Sequence, residues 1–180
     1  AERILRFFAF CDRGLQNYKS PIKGFLNKYM EEKSEISEKE SDEKYDLFNK
    51  CVELCKYVFG GNEDSLVGKR WQKEDEGEVG GYVSSTFNEG IFDAQMVGFM
   101  EYGKHDIMRK SQVIRDSFID LITTPQFSET VEISTYDTKM TKRRMEKWLM
   151  KLREIIDYPS NDRRLYTFEE KKKLFEQREG

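Results

Sequence analysis

"TKMTKRRMEKWLMKLREIID", residues 138–157, decides the fold class. At about 100° per residue, Met145, Trp148, Leu149, Leu152, Ile155 and Ile156 fall within one third of a helical circumference. Lys139, Lys142, Arg143, Lys147 and Arg153 lie outside that sector. One face of this helix must be covered and the other is charged. The same three-and-four spacing recurs through most of the chain.

Working back, "SQVIRDSFIDLITTP" (111–125) is a helix that buries Val113, Ile114, Phe118, Leu121 and Ile122 and stops before Pro125. "QFSETVEISTYD" (126–137) reads as a loop, or an edge strand at Thr130–Ser134. "TFNEGIFDAQMVGFMEYG" (86–103) is apolar on most sides, through Phe87, Ile91, Phe92, Met96, Val97, Phe99 and Met100, which suits a central helix. Tyr45, Phe48, Val52, Cys55 and Phe59 mark another helix, with Cys51, Leu54 and Val58 alongside. Gly60-Gly61 is expected to end it in a left-handed cap.

"PIKGFLNKYMEEK" (21–33) starts a helix at Pro21, with Ile22, Phe25, Leu26, Tyr29 and Met30 on one face. "ILRFFAFCDR" (4–13) is a short apolar helix. Residues 31–44 hold seven acids and three lysines around Ile36, and read as a solvated loop or the exposed start of the next helix. Residues 62–85 break every period and hold Gly68, Gly77, Gly80 and Gly81. They form a long loop with short strands expected near Leu66-Val67 and Tyr82-Val83. The sum is an all-α, irregular bundle of six to seven helices with one long Gly-rich loop.

The 180 residues suit one domain, and thirteen Phe with nine Tyr compensate for a modest 37% apolar content. The net charge of −3 is uneven: residues 136–180 carry +4 and the rest −7. Only the end of the chain therefore has the sign that attracts nucleic acid. No apolar run approaches the roughly 18 residues that span a bilayer. Three cysteines make no disulfide framework, and the expected setting is reducing and cytoplasmic.

Candidate chemistry is sparse. Cys51 and Cys55 with Cys11 and His105 formally complete a zinc set, but the helical cysteines lie on the apolar stripe, where thiols act as small hydrophobes. Glu89 and Asp93, one turn apart, could do acid–base work; a surface or helix-dipole role fits them better. His105 follows Gly103 and reads as a loop or capping residue. Neither paired-glycine motif has the follow-up of a phosphate loop, and one histidine makes no nucleophilic triad. No cofactor and no metal are expected. The strongest internal candidate is the basic face of residues 139–154, seven Lys/Arg against Glu146 and Glu154, which could track DNA phosphates through Lys139, Lys142, Arg143, Lys147 and Arg153.

Three stretches resemble one family. "LRFFAF" (5–10) with "YKSPIKGFLNKYM" (18–30) is similar to the middle of proteins carrying domain of unknown function 262, the GmrSD-type family associated with bacterial modification-dependent restriction and phage defence. "FNEGIFDAQMVGF" (87–99) resembles its central helix. "RRLYTFEEKKKLFEQREG" (163–180), with a capping box at Thr167 and Glu170, resembles the helix that leads into a Cys-containing HNH module. The family's ParB-like Asp-Gly-Gln-Gln-Arg motif, HNH histidines and Cys-x-x-Cys pairs are missing here. No catalytic residue therefore carries over.

The resemblance implies a helical domain at 1–157 and, at 158–180, a connector whose Leu165, Phe168, Leu174 and Phe175 face the bundle or a downstream HNH-like module. The chain would be a non-catalytic segment of a nucleotide-dependent nuclease, with the ParB-like half and the nuclease module as partners. The alternative is a protein–protein or dimerisation scaffold with no nucleic-acid role.

Overall fold

The computed structural model describes residues 1–61, 64–73, 81–132 and 136–156. These form α1 (Glu2–Arg13), α2 (Ile22–Glu32), α3 (Glu38–Phe59), α4 (Glu89–Gly98), α5 (Lys104–Arg109), α6 (Ser111–Ile122), α7 (Pro125–Glu132) and α8 (Thr138–Ile156). A 3-10 turn, Leu15–Asn17, joins α1 to α2, and β1 (Trp71–Lys73) pairs antiparallel with β2 (Gly81–Val83). The fold is an irregular all-α bundle. The connector and helix expected at 158–180 lie outside the described residues, and so does the end of the strand expected at Thr130–Ser134.

α4 is the axis. From Gly90 to Gly98 only Phe92 is not fully buried, and the helix packs against α1, α3 and α8. α8 buries Met145, Trp148, Leu149 and Leu152 on α4, α6 and α7, on the stripe that its spacing predicts. Where α3, α4, α6, α7 and α8 converge, aromatic rings make the centre of the core. Trp148 meets Phe118 edge-on at 4.7 Å, Phe59 lies 4.8 Å from Phe118, and Phe59 stacks on Phe99 at 5.6 Å. A second aromatic group, Phe10, Tyr18 and Phe25, ties α1 to the 3-10 turn and α2.

Several local expectations change. Residues 130–132 are the last turn of α7, not a strand; Thr130 is buried and its hydroxyl donates to the Phe127 carbonyl. α7 was hidden because it is only eight residues long and opens at Pro125, which fits a first helical turn as readily as it stops the preceding helix. Short α5 holds His105, exposed in its first turn. The first strand pairs at Trp71–Lys73 rather than at Leu66-Val67, because Leu66 is buried and its carbonyl accepts from Gln95 Nε2 at 2.9 Å.

Tyr45, Met30 and Val113, expected in the core, are exposed. The first turns of α3 reach beyond the bundle, so the apolar stripe is covered only from about Leu47 onward. Gly60 does end α3, but in extended backbone (φ −68°); its glycine is required because a Cβ would sit 2.1 Å from the Lys56 carbonyl oxygen.

The acidic stretch is resolved into a cap and an exposed start. Ser37 Oγ accepts from the Glu40 amide at 3.1 Å, and Glu38 and Glu40 sit at the positive end of α3. Ser37→Ala is expected to cost about 1 kcal/mol, read as a lower urea midpoint with faster amide exchange confined to the first turn of α3. Among the described residues no helix is long and apolar enough to cross a membrane.

Candidate functional site

Charged residues on the buried sides of α1, α4 and α8 come together in the core. Arg6 of α1 and Asp93 of α4 have side chains only 3% and 1% exposed, and Arg6 Nε lies 3.1 Å from Asp93 Oδ2. Arg6 also pairs with Glu89 and, at 2.8 Å, with Glu2. Arg3 forks onto Glu89, with Nη2 to Oε1 at 2.7 Å, and its guanidinium lies over the Phe87 ring. Tyr136 donates its hydroxyl to Asp93 Oδ2 at 3.2 Å. From α8, Arg144, fully buried, donates from Nη1 to the Thr130 carbonyl at 2.6 Å.

The charges follow from these neighbours. Burial pushes the Asp93 carboxyl up to about 6, against the pull of Arg6, Arg144 and Tyr136. Glu89 is held below the usual carboxylate range, chiefly by its hydrogen bond to Arg3. Burial pushes Tyr136 up, and the Asp93 charge adds to the shift. Asp93 is therefore no surface residue, while Glu89, in the first turn of α4, keeps the helix-dipole position expected of it. One local signal marks the network: Arg6, Asp93 and Arg144 are charged residues set among the buried positions of their helices.

Arg144 leaves the basic face of α8 and joins the buried stripe, at the position one turn before Trp148. The five cations singled out on that face have unequal surroundings. Arg143 is paired with Glu129 at 3.0 Å, and Lys142 donates to the Gln16 carbonyl at 3.0 Å. Lys139 is exposed, while Lys147 and Arg153 are half-buried. The structure separates these positions by environment and does not assemble them into one uniform track.

Cys11, Cys51 and Cys55 are all buried; burial pushes the Cys51 thiol up to about 12 and raises Cys55 well above the ordinary thiol range. Protonated thiols in apolar surroundings are poor ligands and nucleophiles. His105 is exposed on α5, and among the described residues no three His, Cys, Asp or Glu side chains come together as a metal set. Comparison with protein-family models, curated proteins and solved structures finds no match to this chain.

Proposed function

We propose that this chain is a non-catalytic helical segment of a bacterial GmrSD-type nucleotide-dependent restriction or defence nuclease, holding a sensor half and a nuclease module in fixed relation, with a DNA-backbone contact of its own. One observation supports the scaffold role. Glu89 and Asp93, the residues best placed for acid–base work, have their carboxylates taken up by Arg3 and Arg6, and Asp93 is sealed from solvent. Such a network registers α1 against α4 and leaves the acids few free lone pairs. What supports the family reading is the resemblance of residues 5–10 with 18–30, 87–99 and 163–180.

The test mixes the purified chain with the ParB-like half and the HNH module of a GmrSD-type protein. Capture of either module, with no nucleotide hydrolysis or DNA cleavage by the chain alone, is the expected result. Turnover by the chain alone that Glu89→Gln abolishes would overturn the reading.

A second reading, a dimerisation scaffold, draws on the surface. Four of the nine exposed large apolar side chains among the described residues, Ile4, Met30, Ile36 and Tyr45, line one groove of about 480 Å³ between α1, α2 and α3. Sedimentation of wild type and Met30→Lys decides it: a concentration-dependent dimer lost in the variant supports this reading, and a monomer throughout removes it.

A further inference from the structure

We propose that the groove between the end of α1, the 3-10 turn and α2, flanked by the first turns of α8, binds the phosphate backbone of duplex DNA. The inference deepens the DNA contact in the reading above and moves it off the outer face of α8.

The first observation is local charge. Residues 13–30 contain Arg13, Lys19, Lys23 and Lys28 and no acid, in a chain whose net charge is negative. Their fold encloses a groove of about 400 Å³ lined by Arg13, Gln16, Lys19, Ser20, Gly24 and Lys28.

The second is what α8 adds. Thr138 Oγ1 accepts from the Ser20 amide at 2.8 Å, and Lys142 Nζ donates to the Gln16 carbonyl at 3.0 Å. These contacts set the first turns of α8, with Lys142 on Gln16 and exposed Lys139 next to Thr138 in sequence, beside a basic surface more than a hundred residues away in sequence. Among the described residues Lys19, Lys23, Lys28 and Lys139 are exposed and make no ion pair, and no acid lies in the segment that carries the first three. Unmatched cations gathered in a concave surface repel one another and concentrate positive potential, which an anion with regularly spaced charges relieves.

The third is the floor. Arg13 is held by Glu32 at 3.6 Å and lies over the Phe25 ring at 5.1 Å, yet its Nη1 is buried and makes no hydrogen bond among the described residues. α2 starts beside it with no acid in its first turn and no side-chain cap, so the positive end of an eleven-residue helix borders the groove. Nothing lies within 4 Å of where a Gly24 Cβ would stand, so a phosphate can approach the helix backbone there.

Duplex fits better than single strand. Single strands are held by bases stacking on exposed aromatic rings, and the rings here, Tyr18 and Phe25, are buried. What remains is sequence-independent backbone contact.

The test is fluorescence anisotropy of a labelled duplex with the full chain, titrated over salt from about 50 mM. Binding that weakens steeply with salt is expected. Lys19→Gln, Lys28→Gln and Lys139→Gln together should weaken it more than about tenfold and flatten the salt slope by about 1 per lysine. Lys56→Gln, at an exposed position of α3 away from the groove, should leave both unchanged. Far-ultraviolet circular dichroism checks that the variants fold. No binding at about 25 mM salt, equal loss in Lys56→Gln, tighter binding to single strands, or binding to anionic vesicles instead of duplex would each overturn the proposal. Such a failure leaves the scaffold reading intact, because that reading rests on capture of neighbouring modules.

Discussion

Replacing Arg6 by methionine is expected to lower stability by about 3–5 kcal/mol near neutral pH, because it strands a buried carboxylate. Asp93 keeps its burial and loses the guanidinium 3.1 Å away, so its pKa rises above the wild-type value of about 6. A carboxyl that holds its proton more tightly folded than unfolded adds stability below its ordinary pKa. That contribution is lost as pH rises through the folded value.

In the wild type the ionisation of Asp93 therefore weakens the fold between the ordinary aspartate value and about 6. Glu89, held low by Arg3 and Arg6, acts in the opposite sense: its contribution is present above the ordinary glutamate value and fades as pH falls. Removing Arg6 shifts the balance toward Asp93. Urea denaturation of Arg6→Met at pH near 5 and near 7.5 should show the larger deficit at the higher pH. Arg6→Met/Asp93→Leu, which removes both charges, should recover most of the loss. A deficit independent of pH, or no recovery in the double variant, would show that Arg6 matters only as packing.

Trp148→Ala should cost a further about 3–5 kcal/mol in its own right, from the cavity left under five helices. The indole is fully buried and touches the rings of Phe118 and Phe59, so little can collapse into its place. Trp148→Phe should cost far less, about 1 kcal/mol, since it keeps the edge-on contact and removes a buried indole N–H that has no hydrogen-bond partner among the described residues.

The opposite wall of that pocket is Gly98. A Cβ there would fall 2.4 Å from Trp148 Nε1 and 2.9 Å from Leu152 Cδ1, so α4 and α8 can approach this closely only across a glycine. Gly98→Ala is expected to cost about 1–3 kcal/mol alone and less in a Trp148→Phe background. Thermal and urea midpoints of the four proteins close the cycle. Strict additivity would mean that the two positions do not share the space described.

How much of this was legible depends on the range of the interaction. α8, α6 and α4 follow from spacing because a covered helix face repeats along its own sequence. α5 and α7 are too short to show a period, and α7 shares its boundary proline with the end of the preceding helix. Tyr45 and Met30 carry the right spacing and still face solvent, because spacing marks a face without saying how far along the helix a neighbour covers it.

For the candidate sites the divide is sharper. The sequence by itself determined an all-α chain with a cationic α8 and an acid-free basic stretch at 13–30, since composition and helical period are local properties. Only the tertiary structure decided that Arg6 would meet Asp93 87 residues away, that Arg144 would turn inward, and that Lys142 would settle on Gln16 across 126 residues. Those partners share no segment and no period. Their pairing is set by how α1, α4 and α8 pack around Trp148 and Gly98, where burial makes each charge depend on a neighbour that packing brings to it.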